Sequence, residues 1–353
     1  MTLLQRRVQA LREQFGKNRI DALVLTKSAN VTYLTGFSGE DSWAIMARGE
    51  VYLLTDSRYT EQAQKECSQV QIVERKDPIA QAAGKLMGKL RSARTIGVEK
   101  SISLAFYEVL KKNMEPRLKA VEDLVEDLRS VKDPGELATI RSAAAIAATA
   151  FQRAVRHARP GITESALAGI LDLEMRRQGA KVGFETIVAF GPNASRPHHQ
   201  PSQRKLGPRD TILIDFGAKY NGYCCDITRS FASGKPTAAY CRAYEVVGKA
   251  QAAAIRAAKA GIELVEVDAA ARNAIRESGL PVYGHGTGHG FGLEIHEIPF
   301  LKEGAKGKLQ TGQIITIEPG VYIPGKLGVR IEDDILITED GCELLTGACP
   351  SGK

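Results

Sequence analysis

Residues 211–231 read TILIDFGAKYNGYCCDITRSF, and this stretch decides how the rest of the chain is interpreted. It predicts two β-strands joined around Asn221-Gly222, a pair that accepts the left-handed backbone of tight hairpin turns. With that pair as the two-residue turn, Asp215 lies opposite Thr228, and Asp226 lies two residues from Thr228 on the same face. The two carboxylates are therefore predicted to be diagonal neighbours within reach of a shared cation.

Asp215 interrupts an apolar strand, with Ile212-Leu213-Ile214 before it and Phe216 after it. An ionised carboxylate without a partner is costly in such surroundings, so the pattern predicts a compensating cation. An exposed hairpin with two solvated aspartates is the alternative that this stretch by itself leaves open.

Composition is typical of a globular protein, with 43% apolar and 25% charged residues in 353. This length suits two domains, or one large α/β unit with a smaller partner.

Apolar runs fall short of the ~20 residues that span a bilayer, and no signal peptide is recognisable, so we expect no membrane association and a cytoplasmic location. The six cysteines form no CxxC pair, which argues against a zinc ribbon and a disulfide scaffold. The net charge of +7 is scattered rather than concentrated in a basic block, which argues against nucleic-acid binding.

Periodicity along the chain predicts two domains of unequal size. Residues 1–122 open with an amphipathic helix and continue as short apolar runs between helix-compatible segments, a pattern typical of a small α/β domain. Residues 123–134, DLVEDLRSVKDP, are charged and end in Asp-Pro, and we expect them to be a linker. Residues 135–353 show the order helix, helix, strands twice, which indicates a pseudo-symmetric α+β domain.

Histidines and acids are clustered in this second domain. Five of the six histidines fall in GPNASRPHHQP (191–201) and GHGTGHGFGLEIHE (284–297), where repeated glycines leave room for imidazoles to converge. Glu318 ends an apolar strand just before Pro-Gly, and Arg330 and Glu332 share one face of the strand GVRIEDD. We therefore expect side chains from distant segments to meet at one site.

The expected donors are two Asp, two Glu and at least one His, without a thiolate. Such a set suits Mn²⁺ or another hard to borderline divalent ion, with Co²⁺ and Zn²⁺ as alternatives. Four carboxylates carry too much charge for one divalent ion. Two ions ~3.5–4 Å apart that share a hydroxide would neutralise them and supply a nucleophile at neutral pH.

Four segments resemble the metallopeptidases of the pita-bread fold, the family of methionine aminopeptidase, aminopeptidase P and prolidase. They are IDFGAKYNGYCCDITRSF (214–231), GHGTGHGFGLEIHE (284–297), TIEPGVY (316–322) and GVRIEDD (328–334), in the order and spacing of the family. The resemblance covers the whole second half of the chain. It implies a pseudo-symmetric pita-bread catalytic domain, preceded by a smaller α/β domain of the creatinase type.

The resemblance also implies a role for each matched residue. Five residues would ligate two metal ions: Asp215, Asp226, His289, Glu318 and Glu332. Glu318 would in addition be the general base toward the bridging water. His198 and His296 would hold the substrate and the tetrahedral intermediate, and His285 would line the site beside them. Arg330 would orient the carboxylates without binding a metal ion itself.

The segments YLTGFSGEDSW (33–43) and TDSRYTEQA (55–63) resemble the amino-terminal domain of Xaa-Pro peptidases, although Glu40 stands where that family has a small residue. This implies hydrolysis of the bond between an N-terminal residue and a following proline in peptides, by a homodimer. The motifs favour an aminopeptidase P-like enzyme, with an Xaa-Pro dipeptidase (prolidase) as the alternative. Asp41, Trp43 and Arg58 are candidates for closing the site, against the simpler alternative of salt bridges and core contacts.

Two other classes remain as competing hypotheses. One is a metal-independent enzyme of this fold, as creatinase is, and the other is a non-catalytic binding protein on the same fold. The complete ligand set disfavours both. Of the two adjacent histidines, His199 is predicted to point away from the site, and Cys225 is predicted to face the core on the side opposite Asp226.

Overall fold

The structure is a computed structural model that describes residues 1–47, 49–90 and 93–351. The chain divides into two units, Met1–Arg129 and Ser130–Lys353, each with buried apolar clusters of its own. Among the described residues, no helix combines the length and the apolar character that crossing a bilayer requires.

The first unit is built around one mixed sheet of six strands. Its helices are α1 (Leu3–Asn18), α2 (Ser28–Thr35), α3 (Thr60–Glu66), α4 (Ile79–Leu90), α5 (Leu104–Asn113) and α6 (Leu124–Ser130). Its strands are β1 (Ala22–Leu25), β2 (Trp43–Ala47), β3 (Glu50–Thr55), β4 (Gln71–Glu74), β5 (Thr95–Glu99) and β6 (Arg117–Val121). The strand order is β4-β3-β2-β1-β5-β6, with β1 parallel to β5 and antiparallel to β2. The alternation of short apolar runs with helical segments thus forms the expected small α/β unit.

The segment 123–134, expected to be a linker, contains helix α6. Its first two residues, Leu124 and Val125, are buried, and the boundary between the two units, Arg129/Ser130, falls at its end. The next helix begins immediately afterwards. Asp133 accepts hydrogen bonds from the first-turn N–H groups, while the Glu136 side chain accepts one from the Asp133 N–H, a capping box.

The second unit contains two pairs of long helices and several short sheets. Its α-helices are α7 (Pro134–Ala154), α8 (Glu164–Arg177), α9 (Ala238–Ala257) and α10 (Leu264–Glu277), and single 3₁₀ turns cover Val155–His157 and Gly191–Ser195. Its first strands are β7 (Lys181–Val182), β8 (Ile187–Phe190), β9 (Thr211–Phe216), β10 (Ala218–Tyr220), β11 (Tyr223–Cys224) and β12 (Ile227–Ala232). The later strands are β13 (Gly288–Gly290), β14 (Glu297–Leu301), β15 (Ile314–Ile317), β16 (Gly320–Ile323), β17 (Leu327–Arg330), β18 (Asp333–Ile337) and β19 (Cys342–Leu344).

These elements form two similar halves. In the first half, apolar residues of α7 and α8 share a core with the antiparallel sheet β12-β9-β8. In the second half, residues of α9 and α10 share a core with strands of the sheet β14-β13-β15-β18-β19. The repeated order of helix, helix and strands is therefore present in space, and the predicted pseudo-symmetric α+β architecture is confirmed.

The hairpin around Asn221 has the predicted register. Asn221 and Gly222 have φ values of 45° and 87°, the left-handed conformation that a two-residue turn of this type requires. Strand β12 pairs antiparallel with β9, and Thr228 lies opposite Asp215. Asp215 and Asp226 consequently face the same side, as the spacing predicts.

Candidate metal centre and active site

One cavity of about 280 Å³ in the second unit brings together the residues that the sequence singled out. Nine of them line it: His198, Asp215, Asp226, His285, His289, His296, Glu318, Arg330 and Glu332. Other lining side chains are Phe184, Ile187, Ile295, Phe300 and Lys302. Ionisable groups from five separate segments thus meet beside apolar side chains in one space.

Three predicted ligands form the tightest group. Asp226, His289 and Glu332 are buried and each offers a ligand atom, with these atoms all within 4.8 Å of one another. The Nε2 atom of His289 lies 3.8 Å from Asp226 Oδ2 and 3.5 Å from Glu318 Oε1. These separations are typical of side chains arranged to share a cation rather than to bond one another.

Backbone pairing brings Asp226 and Glu332 together. Thr228, two residues after Asp226, forms an isolated β-bridge with Glu332, whose N–H donates to the Thr228 carbonyl at 3.1 Å. The Asp226 N–H donates to a side-chain oxygen rather than to a backbone carbonyl, namely Asp334 Oδ2 at 3.0 Å. The two halves of the unit are therefore joined at the positions of these two predicted ligands.

Buried carboxylates without partners indicate that the site needs a cation. The Oδ1 atoms of Asp215 and Asp226 are buried and, among the described residues, have no hydrogen-bond partner. Burial and then repulsion from neighbouring carboxylates raise the pKa of Asp226 and of Glu332 well above the ordinary range, and burial raises the pKa of Glu318 to about 7. A divalent cation would compensate this excess of negative charge, and the donor set of four carboxylates and one imidazole suits it.

Arg330 orients two of these carboxylates. Its guanidinium donates to Asp215 Oδ2 at 2.6 Å and, through Nε, to Thr228 Oγ1 at 3.0 Å. The Thr228 hydroxyl in turn donates to Glu332 Oε2 at 2.6 Å. A third bond runs from Arg330 to the hydroxyl of Tyr322 at 2.8 Å. Thr228 and Tyr322 lie within the sequence motifs, but residue spacing alone gave no signal of this chain of hydrogen bonds.

Backbone carbonyls determine which imidazole nitrogens face the cavity. The Nδ1 atom of His289 lies 3.0 Å from the carbonyl oxygen of Gly290, and that of His285 lies 2.8 Å from the carbonyl of Gly286. Because a carbonyl only accepts, both Nδ1 atoms carry the proton, and both Nε2 atoms keep a lone pair. Burial lowers the pKa of both rings to about 4, so they are neutral at physiological pH. The Nε2 lone pair of His289 is thereby available to a cation, and His285 Nε2 accepts from the hydroxyl of Tyr322 at 3.1 Å.

Glycine is required beside His289. A Cβ atom on Gly288 would lie 1.9 Å from the carbonyl oxygen of Thr316 on the adjacent strand, so a larger residue cannot occupy this position. The expected close backbone approach is therefore present here. The ring of His296 lies near that of His289, with 4.4 Å between the ring centroids.

The two adjacent histidines have different surroundings, as predicted. His198 lines the cavity, whereas His199 is buried and its Nε2 lies 2.8 Å from Glu164 Oε2. Glu164, in the first turn of α8, also accepts from the N–H groups of Phe190 and Ser202. Burial would raise the pKa of Glu164, but its hydrogen bonds, led by that with His199, outweigh burial and lower it. Glu164 thus fixes the segment that carries His198, a role for which the sequence held no signal.

Four other residues that the sequence analysis considered pack in a core or form salt bridges: Cys225, Trp43, Arg58 and Asp41. Cys225 is fully buried in the core, as predicted. In the first unit, Trp43 is buried and contacts Phe106 edge to face. Arg58 forms exposed salt bridges with Asp41 and Asp56.

Paired helical halves around a cavity of carboxylates and imidazoles define a metallopeptidase of the pita-bread type. Residues 138–339 match the sequence profile of metallopeptidase family M24, and residues 7–131 match that of the creatinase/prolidase N-terminal domain. The chain therefore belongs to metallopeptidase family M24. The resemblance inferred from the motifs and the predicted fold class are both confirmed.

Similar proteins include peptidases of two named activities. The Xaa-Pro dipeptidase of Pyrococcus horikoshii is 36% identical, with 98% of this chain and 98% of that protein covered. A solved Xaa-Pro dipeptidase from Bacillus anthracis has a TM-score of 0.94 at 36% identity and 98% coverage of both chains. A solved X-Pro aminopeptidase from Thermotoga maritima has a TM-score of 0.87 at 36% identity, covering 95% of this chain and 97% of its own.

Proposed function

We propose that this protein is a metal-dependent exopeptidase that hydrolyses the bond between an N-terminal residue and a following proline, with Xaa-Pro dipeptides as its main substrates. The observation that carries the proposal is the convergence of four carboxylates and His289 on one cavity that His198 and His296 also line. The sequence motifs favoured an aminopeptidase P-like enzyme. The similarity to dipeptidases from two organisms now makes the dipeptidase the first candidate.

The metal site in this proposal consists of five residues: Asp215, Asp226, His289, Glu318 and Glu332. Its support is the pair of buried, unpartnered Oδ1 atoms and the excess of negative charge described above. Two divalent ions balance four carboxylates, and an oxygen-rich donor set favours Mn²⁺ over Co²⁺ and Zn²⁺. When bound, such ions polarise the scissile carbonyl and lower the pKa of a water molecule so that it can attack.

The side chains of the protein perform the remaining chemistry. Glu318 takes a proton from the attacking water and delivers it to the nitrogen of the departing proline, which must be protonated to leave. Its carboxylate is suited to this exchange, because burial raises its pKa to about 7. His198 and His296 stabilise the developing negative charge on the carbonyl oxygen by hydrogen bonds. Arg330 keeps Asp215 in position throughout.

The first test is hydrolysis by protein that has been stripped with a chelator and reloaded separately with Mn²⁺, Co²⁺ and Zn²⁺. We expect release of proline from Ala-Pro and no hydrolysis of Ala-Ala, which lacks the proline. Folded protein that leaves Ala-Pro intact with each of the three ions would contradict the proposal.

An Xaa-Pro aminopeptidase is the second candidate, because a structure with that activity in its name is also similar. The two activities differ in whether the substrate may continue beyond the proline. We expect kcat/KM for Ala-Pro to exceed that for Ala-Pro-Ala, and the opposite order would favour the aminopeptidase. A homodimer and a cytoplasmic location stay predictions, and sedimentation at a mass of twice 38.2 kDa would confirm the former.

A further inference from the structure

We infer that Lys302 binds the free carboxylate of the substrate proline and thereby selects substrates that end at this residue. The inference rests on the proposed Xaa-Pro hydrolysis and names the group that would make the enzyme a dipeptidase. Lys302 lies outside the motifs that identify the family, and the sequence analysis assigned it no role.

The register of two strands places Lys302 on the cavity side. Strand β14 pairs antiparallel with β13, and Phe300 lies directly opposite His289. Directly opposed residues project to the same face, and so does the residue two positions further along. Lys302 is that residue, immediately after the last residue of β14, and its Nζ lies 5.7 Å from the centroid of the Phe300 ring. Both side chains line the cavity that contains the proposed ligands.

The charge of Lys302 is available for a ligand. Among the residues that the structure describes, none forms an ion pair or a side-chain hydrogen bond with its ammonium group, and the side chain is exposed. Arg330, the other lysine or arginine among the described residues that line the cavity, is buried and bonded to Asp215, Thr228 and Tyr322. A substrate carboxylate that enters the cavity therefore meets one unpaired ammonium group.

The chemistry of the substrate places a carboxylate close to the reacting atoms. In an Xaa-Pro dipeptide, the carboxylate carbon is two bonds from the scissile nitrogen, so its binding group must lie on the leaving-group side of the metal ligands. Lys302 lies two positions beyond Phe300, the residue opposite the proposed ligand His289. The flexible stem of lysine allows its point charge to follow a carboxylate.

Phe300 completes the proposed subsite. This large apolar residue is 40% exposed, and it lines the cavity, as Ile295 does. A pyrrolidine ring is apolar and would cover this surface when the carboxylate reaches Lys302. A peptide that continues beyond proline presents a neutral amide at the same point and would gain no ion pair.

The test compares Ala-Pro with Ala-Pro amide, which differ only in the terminal charge. Wild-type protein should prefer Ala-Pro, and Lys302→Gln should lower kcat/KM for Ala-Pro by about 10- to 100-fold, mainly through KM. The same variant should change kcat/KM for the amide by less than about twofold. Lys302→Arg should keep most of the preference. Lys306→Gln removes an exposed lysine outside the cavity lining and serves as the matched control.

Binding provides a readout that does not require turnover. Calorimetry with proline and prolinamide should show tighter binding of proline by wild type, by about tenfold, and no difference in the Lys302→Gln variant. Equal losses for both ligands, or none, would overturn the role of Lys302 while Xaa-Pro hydrolysis stands. Wild-type protein that hydrolyses neither peptide would overturn the proposed function, and the inference about Lys302 with it.

Discussion

Arg330 holds two of the proposed ligands, Asp215 directly and Glu332 through the hydroxyl of Thr228. Each carboxylate therefore has one oxygen fixed by a hydrogen bond. The other oxygen of Asp215 is buried without a partner among the described residues. At the scale of single residues, hydrogen bonds fix one oxygen of a carboxylate and leave the other oxygen available to a cation.

Asp226 provides the direct test of this arrangement. Replacing it with Asn removes one negative charge and one ligand oxygen, so we expect fewer bound metal ions and a fall in kcat/KM of about 10²- to 10³-fold. Calorimetric titration with Mn²⁺ and hydrolysis of Ala-Pro measure the two effects. Asp340→Asn makes the same chemical change at an exposed position and should leave both unchanged. Full activity of the Asp226→Asn variant would refute the assignment of this ligand.

At the scale of elements, the segment between β8 and β9 carries His198 and is held by one residue of helix α8. Glu164 accepts hydrogen bonds from Phe190, Asn193 and Ser202 and contacts His199. The helix is long and well capped by Thr163, so its first turn is a rigid support. His198 owes its position in the cavity lining to this support.

Glu164→Gln tests the support without removing a residue from the cavity lining. An amide retains the shape but loses the charge and brings two donors toward groups that already donate, so kcat should fall by about 10- to 100-fold. Unfolding free energy should fall by about 1–3 kcal/mol. Metal affinity should stay unchanged, because Glu164 contacts no proposed ligand.

Two comparisons separate positioning from a general loss of stability. The double variant Glu164→Gln with His198→Ala should lose little more activity than His198→Ala, because both changes affect the same group. Glu174→Gln changes a carboxylate on the same helix that pairs with Arg153 and Arg177, and it should leave kcat intact. Independent, additive losses in the double variant would show that Glu164 does not act through His198.

At the scale of the whole molecule, the chain consists of two units, and the proposed metal site lies in the second. A metal ion that binds only the folded site stabilises the unit that contains it. Removing the ions with a chelator should destabilise that unit by more than the loss of binding energy, because four carboxylates are then left close together in a buried space. The first unit contains none of the proposed ligands.

The only tryptophan in the sequence, Trp43, reports on the first unit, where it is buried. Adding EDTA to the metal-loaded protein should lower the midpoint of the main calorimetric transition by several degrees. The reason is that bound metal stabilises the folded second unit by about 3–4 kcal/mol, and EDTA removes this stabilisation. The midpoint followed by Trp43 fluorescence should move much less. An equal shift of both midpoints would show that the units unfold as one and would contradict this prediction.

Much of the architecture was predictable because it depends on neighbouring residues. The Asn221-Gly222 turn set the hairpin register, and strand alternation then placed Asp215 and Asp226 on one face. The repeat of two helices and strands predicted the two halves correctly. The boundary between the two units, Arg129/Ser130, falls within the charged segment 123–134, but that charge gave no signal of the buried pair Leu124 and Val125 at the start of helix α6.

The sequence by itself determined the kinds of groups available: carboxylates on apolar strands, imidazoles among glycines, and a turn that sets their register. These properties depend on residues a few positions apart, and they sufficed to name the family. Only the tertiary structure decided which groups are bonded to one another. Arg330 and Asp215 are 115 positions apart, and whether the ammonium of Lys302 is paired depends on every side chain that folding brings near it. Such contacts follow from how separate sheets meet, which local spacing does not encode.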